Sequence, residues 1–274
     1  MTAACVRVVK IGGEVIRGAR LEQLCSQLAH LVDSRAGRDD RVVLVHGGGP
    51  QTSELQRALG QTPVVVGGRR VTDEAALQAI KYAVAGGANV DLCAGLARVG
   101  LSPVGLHGAS STVIRAVKRP PRIVTGAGPE PVDFGHVGDV VGVNRDLLEH
   151  LLSGGYVPVL ACLGADAAGR VYNINADIVA TRVAVELGAR DLFLAMDAPG
   201  VLRDRDDPAS RIARLTIAEA EALIADGTVA GGMIPKLEES FVALRGGVER
   251  VHLLADGLDA AATDPGSAGT LLTA

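Results

Sequence analysis

Short β-branched runs alternate with helical patterns along nearly all of this 274-residue chain, and that alternation narrows the possible folds more than any other feature. "VRVVKI" (6–11) is short, β-branched and ended by Gly12-Gly13, as a buried strand is. "LEQLCSQLAHLV" (21–32) puts Leu21, Leu24, Cys25, Leu28, Leu31 and Val32 on one helical face. "RVVLV" (41–45) is the next strand and runs directly into "HGGGP". A long Ala-rich helix follows from Thr72 as N-cap, with Gly86-Gly87 as a point of interruption, and "SPVGL" (102–106) is another strand. Between about 110 and 143 the pattern changes to short β-like pieces, "RIVTG" and "VDFGHVGDVVGV", expected as antiparallel hairpins on a sheet edge. Alternation then resumes with a helix over 145–153, a strand over 156–163, a helix over 176–187 and a strand over 191–196. Thr216 and Glu219 form a capping-box signature for "IAEAEALIADG". A further helix begins near Ile234, "RVHLL" is a strand, and "GTLLTA" closes as a last edge strand. The pattern predicts an α/β fold in one domain, with a mainly parallel sheet covered by helices on both faces.

Composition supports a large aliphatic core. Hydrophobic residues make up 48% and aromatics only 2%, without Trp, so Val, Leu, Ile and Ala must fill the interior. So few rings argue against a platform for stacking nucleic-acid bases, and a net charge of −4 gives no general attraction to nucleic acid or anionic membrane. Cys5, Cys25, Cys93 and Cys162 lie far apart in apolar stretches, which favours small core residues over a metal or disulfide role. No secretory leader and no apolar run of membrane-spanning length is visible, so a cytoplasmic location is expected.

Charged and polar residues in apolar settings point to the chemistry. Lys10 sits inside a hydrophobic strand, where an unpaired charge costs several kcal/mol by order of magnitude, so an anion is expected to meet it. Two strands end in glycine, Gly12-Gly13 and Gly47-Gly48-Gly49, where backbone N–H groups can converge on an anion at a helix N-terminus. There is no GxxxxGK[ST], no GxGxxG after a strand, no GxSxG and no HExxH, so any phosphate binds by another arrangement. Asn173, Asn175 and Asp177 stand at a helix entrance. One is explained by capping, and on an extended segment all three would share a face. Lys236 opens a helix, where it opposes the macrodipole and is better explained by an anionic ligand. Arg69 and Arg70 precede another helix, and a carboxylate clamp or a solvated pair explains them equally well. The six histidines form no metal pattern, and His46 is expected to brace its loop.

Seven segments in order, "VKIGGEVI", "VHGGGPQTSEL", "GRRVTD", "VDFGHVGDV", "YNINADIVA", "DAPGVL" and "GGMIPKLE", resemble the amino acid kinase family, and the likeness covers essentially the whole chain. The resemblance implies a three-layer α/β/α sandwich of the carbamate kinase-like type. Within its single domain, an N-terminal lobe (about 1–164) would hold an acyl substrate and a C-terminal lobe (about 165–274) would hold ATP. It implies that Lys10 and Lys236 straddle the transferring phosphoryl group, that Asp177 orients both, and that Gly12, Gly13, Gly47 and Gly48 offer backbone donors. Arg70, Asn173 and Asn175 would hold the substrate with Gly47 and Gly48. Asp197, Gly200, Val201, Gly232, Met233 and Pro235 would line the ATP site with Lys10 and Lys236. The branch it resembles phosphorylates the side-chain carboxylate of N-acetyl-L-glutamate in arginine biosynthesis, with ATP as co-substrate and Mg²⁺ as its ion.

Three departures from that branch bear on substrate detail: "GLHGASSTV" in place of a Gly-Lys-Asp-Gly pattern, Val90 in place of a lysine, and Ala195-Met196 before Asp197. "RAVKRPPR" (115–122) carries four basic residues, which leaves open an acidic carrier protein presenting aminoadipate or glutamate. A solvated hairpin is the commoner meaning of such a run. A non-catalytic sensor of nucleotide or amino acid on the same fold is a third reading, opposed by the presence of Lys10, Asp177 and Lys236. The chain starts on its first strand, without the extra helix of arginine-inhibited hexameric relatives, so a homodimer insensitive to arginine is expected.

Overall fold

The computed structural model describes residues 5–32, 40–124 and 128–274. The chain opens with β1 (Cys5–Ile11), α1 (Gly18–Val32), β2 (Asp40–His46) and α2 (Gly49–Ala58). A small hairpin, β3 (Val65–Val66) and β4 (Arg69–Arg70), leads to α3 (Glu74–Ile80), a π-helical stretch (Lys81–Ala88) and α4 (Asn89–Arg98). Then come β5 (Pro103–His107), β6 (Ile114–Lys118), β7 (Gly138–Val143), α5 (Arg145–Ser153), β8 (Val157–Ala161), β9 (Leu163–Ala165), β10 (Val171–Asn173) and α6 (Ala176–Leu187). The last third holds β11 (Asp191–Ala195), β12 (Arg214–Thr216), α7 (Ile217–Ala225), α8 (Ile234–Arg245), β13 (Arg250–Leu254), α9 (Leu258–Thr263) and β14 (Thr270–Thr273).

Eight strands form the main sheet in the order β12-β14-β13-β11-β1-β2-β8-β5, parallel throughout except between β13 and β14. Successive strand residues face opposite sides. Val8, Val43 and Val45 pack with α5, α6 and α8, while Val9, Ile11, Val42 and Leu44 pack with α1, α4 and α9. The result is a helix–sheet–helix sandwich filled by aliphatic side chains, each worth roughly 1.5–3 kcal/mol when fully buried. All four cysteines are free; Cys25 and Cys162 are buried, as their apolar settings suggest.

Several details differ from expectation. Asp73, not Thr72, caps α3, its side chain accepting from Ala76 N at 2.7 Å; Thr72 is pulled inward by backbone bonds with Phe134 and His136. Gly86-Gly87 do not break the helix but lie in the π-helical stretch. The hairpin residues form a separate four-stranded sheet, β10-β9-β6-β7, with β6 and β7 antiparallel. Of "RIVTG", Arg122 makes an isolated bridge with Val132, and Thr125 and Gly126 lie outside the described residues. The strand expected over 156–163 stops at Ala161, and Leu163 already belongs to the small sheet. β14 is not the edge: β12, three residues with no periodic signal, pairs outside it. The capping box at Thr216 and Glu219 forms as read.

Candidate active site

Chain direction reverses about β1: the first crossover leads to β2 on one side, while β11 flanks it on the other. Ligands of open α/β sheets bind at such a point, beyond the carboxyl ends of the strands. Both glycine loops emerge there. Gly12 N donates to Ala195 O at 3.3 Å, and Gly47 N donates to Ile11 O at 3.0 Å. These bonds tie the loops to each other and to β11, and they occupy two of the four glycine donors expected to face a ligand. Gly13 N and Gly48 N meet no acceptor among the described residues. The loops approach so closely that a Cβ on Gly13 would sit 2.8 Å from Pro50 Cδ, and one on Gly48 2.7 Å from Val84 Cγ2. A methyl group on Gly47 would touch Ala176 at 3.7 Å, so the N-terminus of α6 joins the same cluster.

His46 holds the second loop from below. Fully buried, its Nδ1 bonds Gly47 O at 2.9 Å and its Nε2 meets Asn89 Nδ2 at 2.9 Å. Those partners fit one neutral tautomer, with Nδ1 donating and Nε2 accepting. Burial outweighs the bond to Gly47 and brings the His46 pKa down to about 4.

Lys10, 8% exposed on the central strand, ends 2.8 Å from Asp177 Oδ1 in the first turn of α6. The anion beside the buried lysine is thus a carboxylate of the protein. Asn175 caps α6, its side chain accepting from Asp177 N at 2.8 Å, so capping accounts for this residue. Asn173 closes β10 and donates to Thr72 Oγ1 at 3.1 Å. The three polar residues do not share one face: Asn173 and Asn175 turn to a cleft and Asp177 turns to Lys10. Lys236 lies in the first turn of α8 and has no ion-pair partner among the described residues, so Asp177 pairs with Lys10 alone here.

Two cavities flank the start of α8. One, of about 230 Å³, is lined by Arg69, Arg70, Arg119, Asn173, Asn175 and Pro235, with Glu238 and Glu239 on its α8 side. Arg70 is braced rather than free: its Nη1 donates to Gln56, and its Nη2 donates to Ser53 Oγ at 2.6 Å and Gly49 O at 3.0 Å. Burial and the nearby Arg57 lower its pKa. The other cavity, of about 540 Å³, is lined by Gly200, Val201, Gly232 and Met233 together with Arg205 and Pro208. Asp197 stands aside from it, paired with Arg20 at 2.6 Å, and Pro235 belongs to the first cavity.

Arg119, Glu238 and Glu239 were not legible as site residues. Arg119 belongs to a basic run that reads as solvated, yet it is only 6% exposed and pairs with Asp139. Glu239 sits on a helix with no periodic oddity. Its pKa is raised by burial and by Asp177, with Arg182 and Arg119 pulling the other way. Only the position of Glu238 and Glu239 just after Lys236 offered a signal, and Arg119 had none.

The amino acid kinase family profile matches residues 6–255. Acetylglutamate kinase of Sorangium cellulosum is 58% identical over 275 residues, covering 99% of this chain and 95% of that protein. Acetylglutamate kinase of Anaeromyxobacter dehalogenans is 56% identical over 271 residues, with 97% and 98% covered. Among solved structures, N-acetylglutamate synthase from Neisseria gonorrhoeae, complexed with coenzyme A and N-acetyl-glutamate, superposes with a TM-score of 0.79 at 25% identity. That match takes in 98% of this chain and 59% of the synthase. Carbamate kinase from Giardia lamblia bound to AMP-PNP superposes with a TM-score of 0.70 at 17% identity, covering 100% and 99%, a likeness of fold alone.

Proposed function

The chain belongs to the amino acid kinase family, and from that premise we propose that it transfers the γ-phosphoryl group of ATP to the side-chain carboxylate of N-acetyl-L-glutamate, giving N-acetyl-L-glutamyl 5-phosphate and ADP. The observation that carries this reading is the pairing of Lys10 with Asp177 at the end of the central strand, from which both glycine loops emerge. The relatives named acetylglutamate kinase, matched over nearly full length, support the acceptor.

The reaction needs no general base, because an acceptor carboxylate with a reference pKa near 4.3 is ionised at neutral pH. Its difficulty is repulsion between that anion and the phosphate chain. Lys10, held by Asp177, keeps further N–H donors for phosphoryl oxygens, and Gly13 N and Gly48 N add uncharged donors beside it. Lys236 is the second cation, placed toward the leaving β-phosphate. Arg70, Asn173 and Asn175 form the acceptor side. Gly200, Val201, Gly232 and Met233 form the nucleotide side, with Lys236 and Pro235 at the junction and Asp197 at its edge. Mg²⁺ supplies further charge neutralisation as the nucleotide's own ion. Among the described residues no group of three or more His, Cys, Asp or Glu is placed to hold a metal. No helix among the described residues is long and apolar enough to cross a membrane. We take the enzyme to act in the cytoplasm as a homodimer; Tyr82 and Val90, both more than 60% exposed, offer an apolar contact for a second copy.

The test is ADP release from Mg-ATP with free N-acetyl-L-glutamate, hydroxylamine being present to trap acyl phosphate. Hydroxamate formation is the expected result. Activity only on a carrier-linked amino acid would move the reading to the carrier-dependent kinase, and silence with both would leave a sensor.

A further inference from the structure

We propose that His46 is a positioning residue for phosphoryl transfer: by gripping the Gly47 carbonyl it aims the Gly48 N–H at the transferring phosphoryl group. The inference rests on the function proposed above and adds to its machinery a residue that does not itself touch the substrate.

Three of the four backbone polar groups of Gly47 and Gly48 are engaged. Gly47 N donates to Ile11 O at 3.0 Å, and Gly47 O accepts from His46 Nδ1 at 2.9 Å. Gly48 O accepts from Thr52 N at 2.9 Å and from Thr52 Oγ1 at 2.8 Å. Gly48 N alone meets no acceptor among the described residues, although Gly48 is buried. A buried backbone N–H without a partner is rare in folded proteins and asks for an explanation. The peptide between Gly47 and Gly48 is planar and trans, so its N–H points opposite to its C=O. Holding Gly47 O on the imidazole therefore fixes the direction of Gly48 N–H, away from the ring.

The neighbours give that direction its meaning. A Cβ on Gly13 would lie 3.0 Å from Gly48 Cα, so the two glycines with free N–H groups adjoin. A Cβ on Gly47 would lie 3.7 Å from Ala176 Cβ, one residue before Asp177, which holds Lys10 at 2.8 Å. The grip is itself built from several elements. One side-chain atom of Asn89 faces both His46 Nε2, at 2.9 Å, and Val159 O, at 3.1 Å. A carbonyl only accepts, so that atom is the amide nitrogen; Nε2 then accepts, and Nδ1 carries the proton given to Gly47 O. Val84 also meets the loop, since a Cβ on Gly48 would lie 2.7 Å from its Cγ2. Val84 and Asn89 are five residues apart, and an α-helix would turn them about 140° from each other. The stretch Lys81–Ala88 is π-helical instead, and its i→i+5 turn brings both to the same loop.

Two variants separate the hydrogen bond from the bulk of the ring. The amide nitrogen of Asn stands near the place of Nδ1, whereas that of Gln stands near the place of Nε2. His46→Gln, which loses the bond to Gly47 O, is expected to lower kcat about a hundredfold with both KM values changed less than about threefold, as for a donor used mainly in the transition state. His46→Asn should recover most of that loss. A ring that only filled the core would lower stability in both variants and leave kcat per folded molecule alike, the folded fraction being set by urea unfolding. The Gly48 amide proton, followed by NMR in labelled protein, gives a readout without turnover. Adding Mg²⁺ and AMP-PNP should move it downfield in the parent and in His46→Asn, and much less in His46→Gln. Equal kcat in the two variants, or a Gly48 amide that behaves alike in the parent and in His46→Gln, overturns the proposal. A silent kinase assay beside the expected amide shifts would strike the acceptor proposed above and leave the role of His46 standing.

Discussion

Arg7 and Lys10 lie three residues apart on the same central strand, and both are nearly buried, at 1% and 8% exposure. Their surroundings differ completely. At the Arg7 end, Asp191 is fully buried and accepts from Arg7 at 3.3 Å, Arg190 at 3.0 Å, Arg250 at 2.6 Å and His252 at 3.1 Å. Arg7 also sits against Asp40 as an ion pair, and His252 stacks on Phe193 with 4.4 Å between ring centroids. Both oxygens of Asp191 are occupied, while His252 Nδ1 is buried without a hydrogen-bond partner and Arg7 Nη1 meets Asp40 as an ion pair only. At the Lys10 end one carboxylate meets one ammonium, Lys236 in the first turn of α8 has no ion-pair partner among the described residues, and Gly13 N and Gly48 N meet no acceptor among them. A closed network ties strands together, whereas an open one is complete only when a ligand arrives. Under the proposed function, the same type of buried charge is structural at one end of the sheet and chemical at the other.

Lys10→Ala gives the sharpest break of this comparison. Turnover in the hydroxamate assay should fall about a thousandfold, the upper range for losing one donor to developing charge. The loss of stability should be smaller than at Asp191, because water still reaches Asp177 through the cleft. Unchanged turnover would remove Lys10 from the chemistry.

Asp191→Ala should act in the opposite sense. Removing it strands the buried Arg7 Nε and leaves the partly exposed Arg190 and Arg250 without their carboxylate, a loss of about 3 kcal/mol by analogy with broken buried pairs, read from urea unfolding. Turnover per folded molecule should stay near the parent's. Burial pushes the Asp191 carboxyl up, but hydrogen bonds and charge from His252 and Arg250 outweigh it and hold the group far below the usual range. Its contribution is therefore complete above about pH 4 and is lost only as pH falls further toward the folded value. An acid limb of the stability curve that is the same in the variant would show that the network is not what resists acid.

The contrast also explains what could be read from sequence. Strand and helix positions were legible because buried β-branched runs and apolar helix faces carry their own periodicity, down to α5 and α6 with their predicted bounds. β12 was missed because three residues cannot display a period, and its pairing depends on β14, more than fifty residues later. Lys10 and Lys236 stood out because each breaks a local rule, and Asp177 because it is one of three alternating polar residues at a helix entrance. Asp191 did not stand out, since an acidic residue at the start of a strand reads as solvated, and only the fold brings Arg7 and Arg250 to it. Arg119 was hidden in the same way, inside a basic run whose members turn in different directions.

His46 tests whether a closed contact can sit inside the open end. Its folded pKa of about 4 lies below the unfolded value near 6.5, so between those pH values the unfolded chain binds more protons and stability rises with pH. At pH 5 the penalty relative to pH 7 should be about 2 kcal/mol. His46→Gln should remove that part of the slope when urea midpoints are compared across the window. Equal slopes in both proteins would mean that the imidazole is not held neutral by the fold.

The smallest effect should come from Lys236. A cation at the third position of α8 faces the positive end of the helix dipole without a neutralising partner among the described residues. Lys236→Ala should therefore raise stability by about 0.3–1 kcal/mol while lowering turnover. Both signs matter, since a structural lysine would lose stability when removed and a solvated one would change neither quantity. The thermal midpoint should rise by a few degrees at most for a chain of this size. Added nucleotide should stabilise the parent more than the variant, as expected for a residue whose counter-charge is the ligand. If the variant is less stable without nucleotide, then Lys236 has a partner within the protein, and the α8 side of the site belongs with the closed end of the sheet.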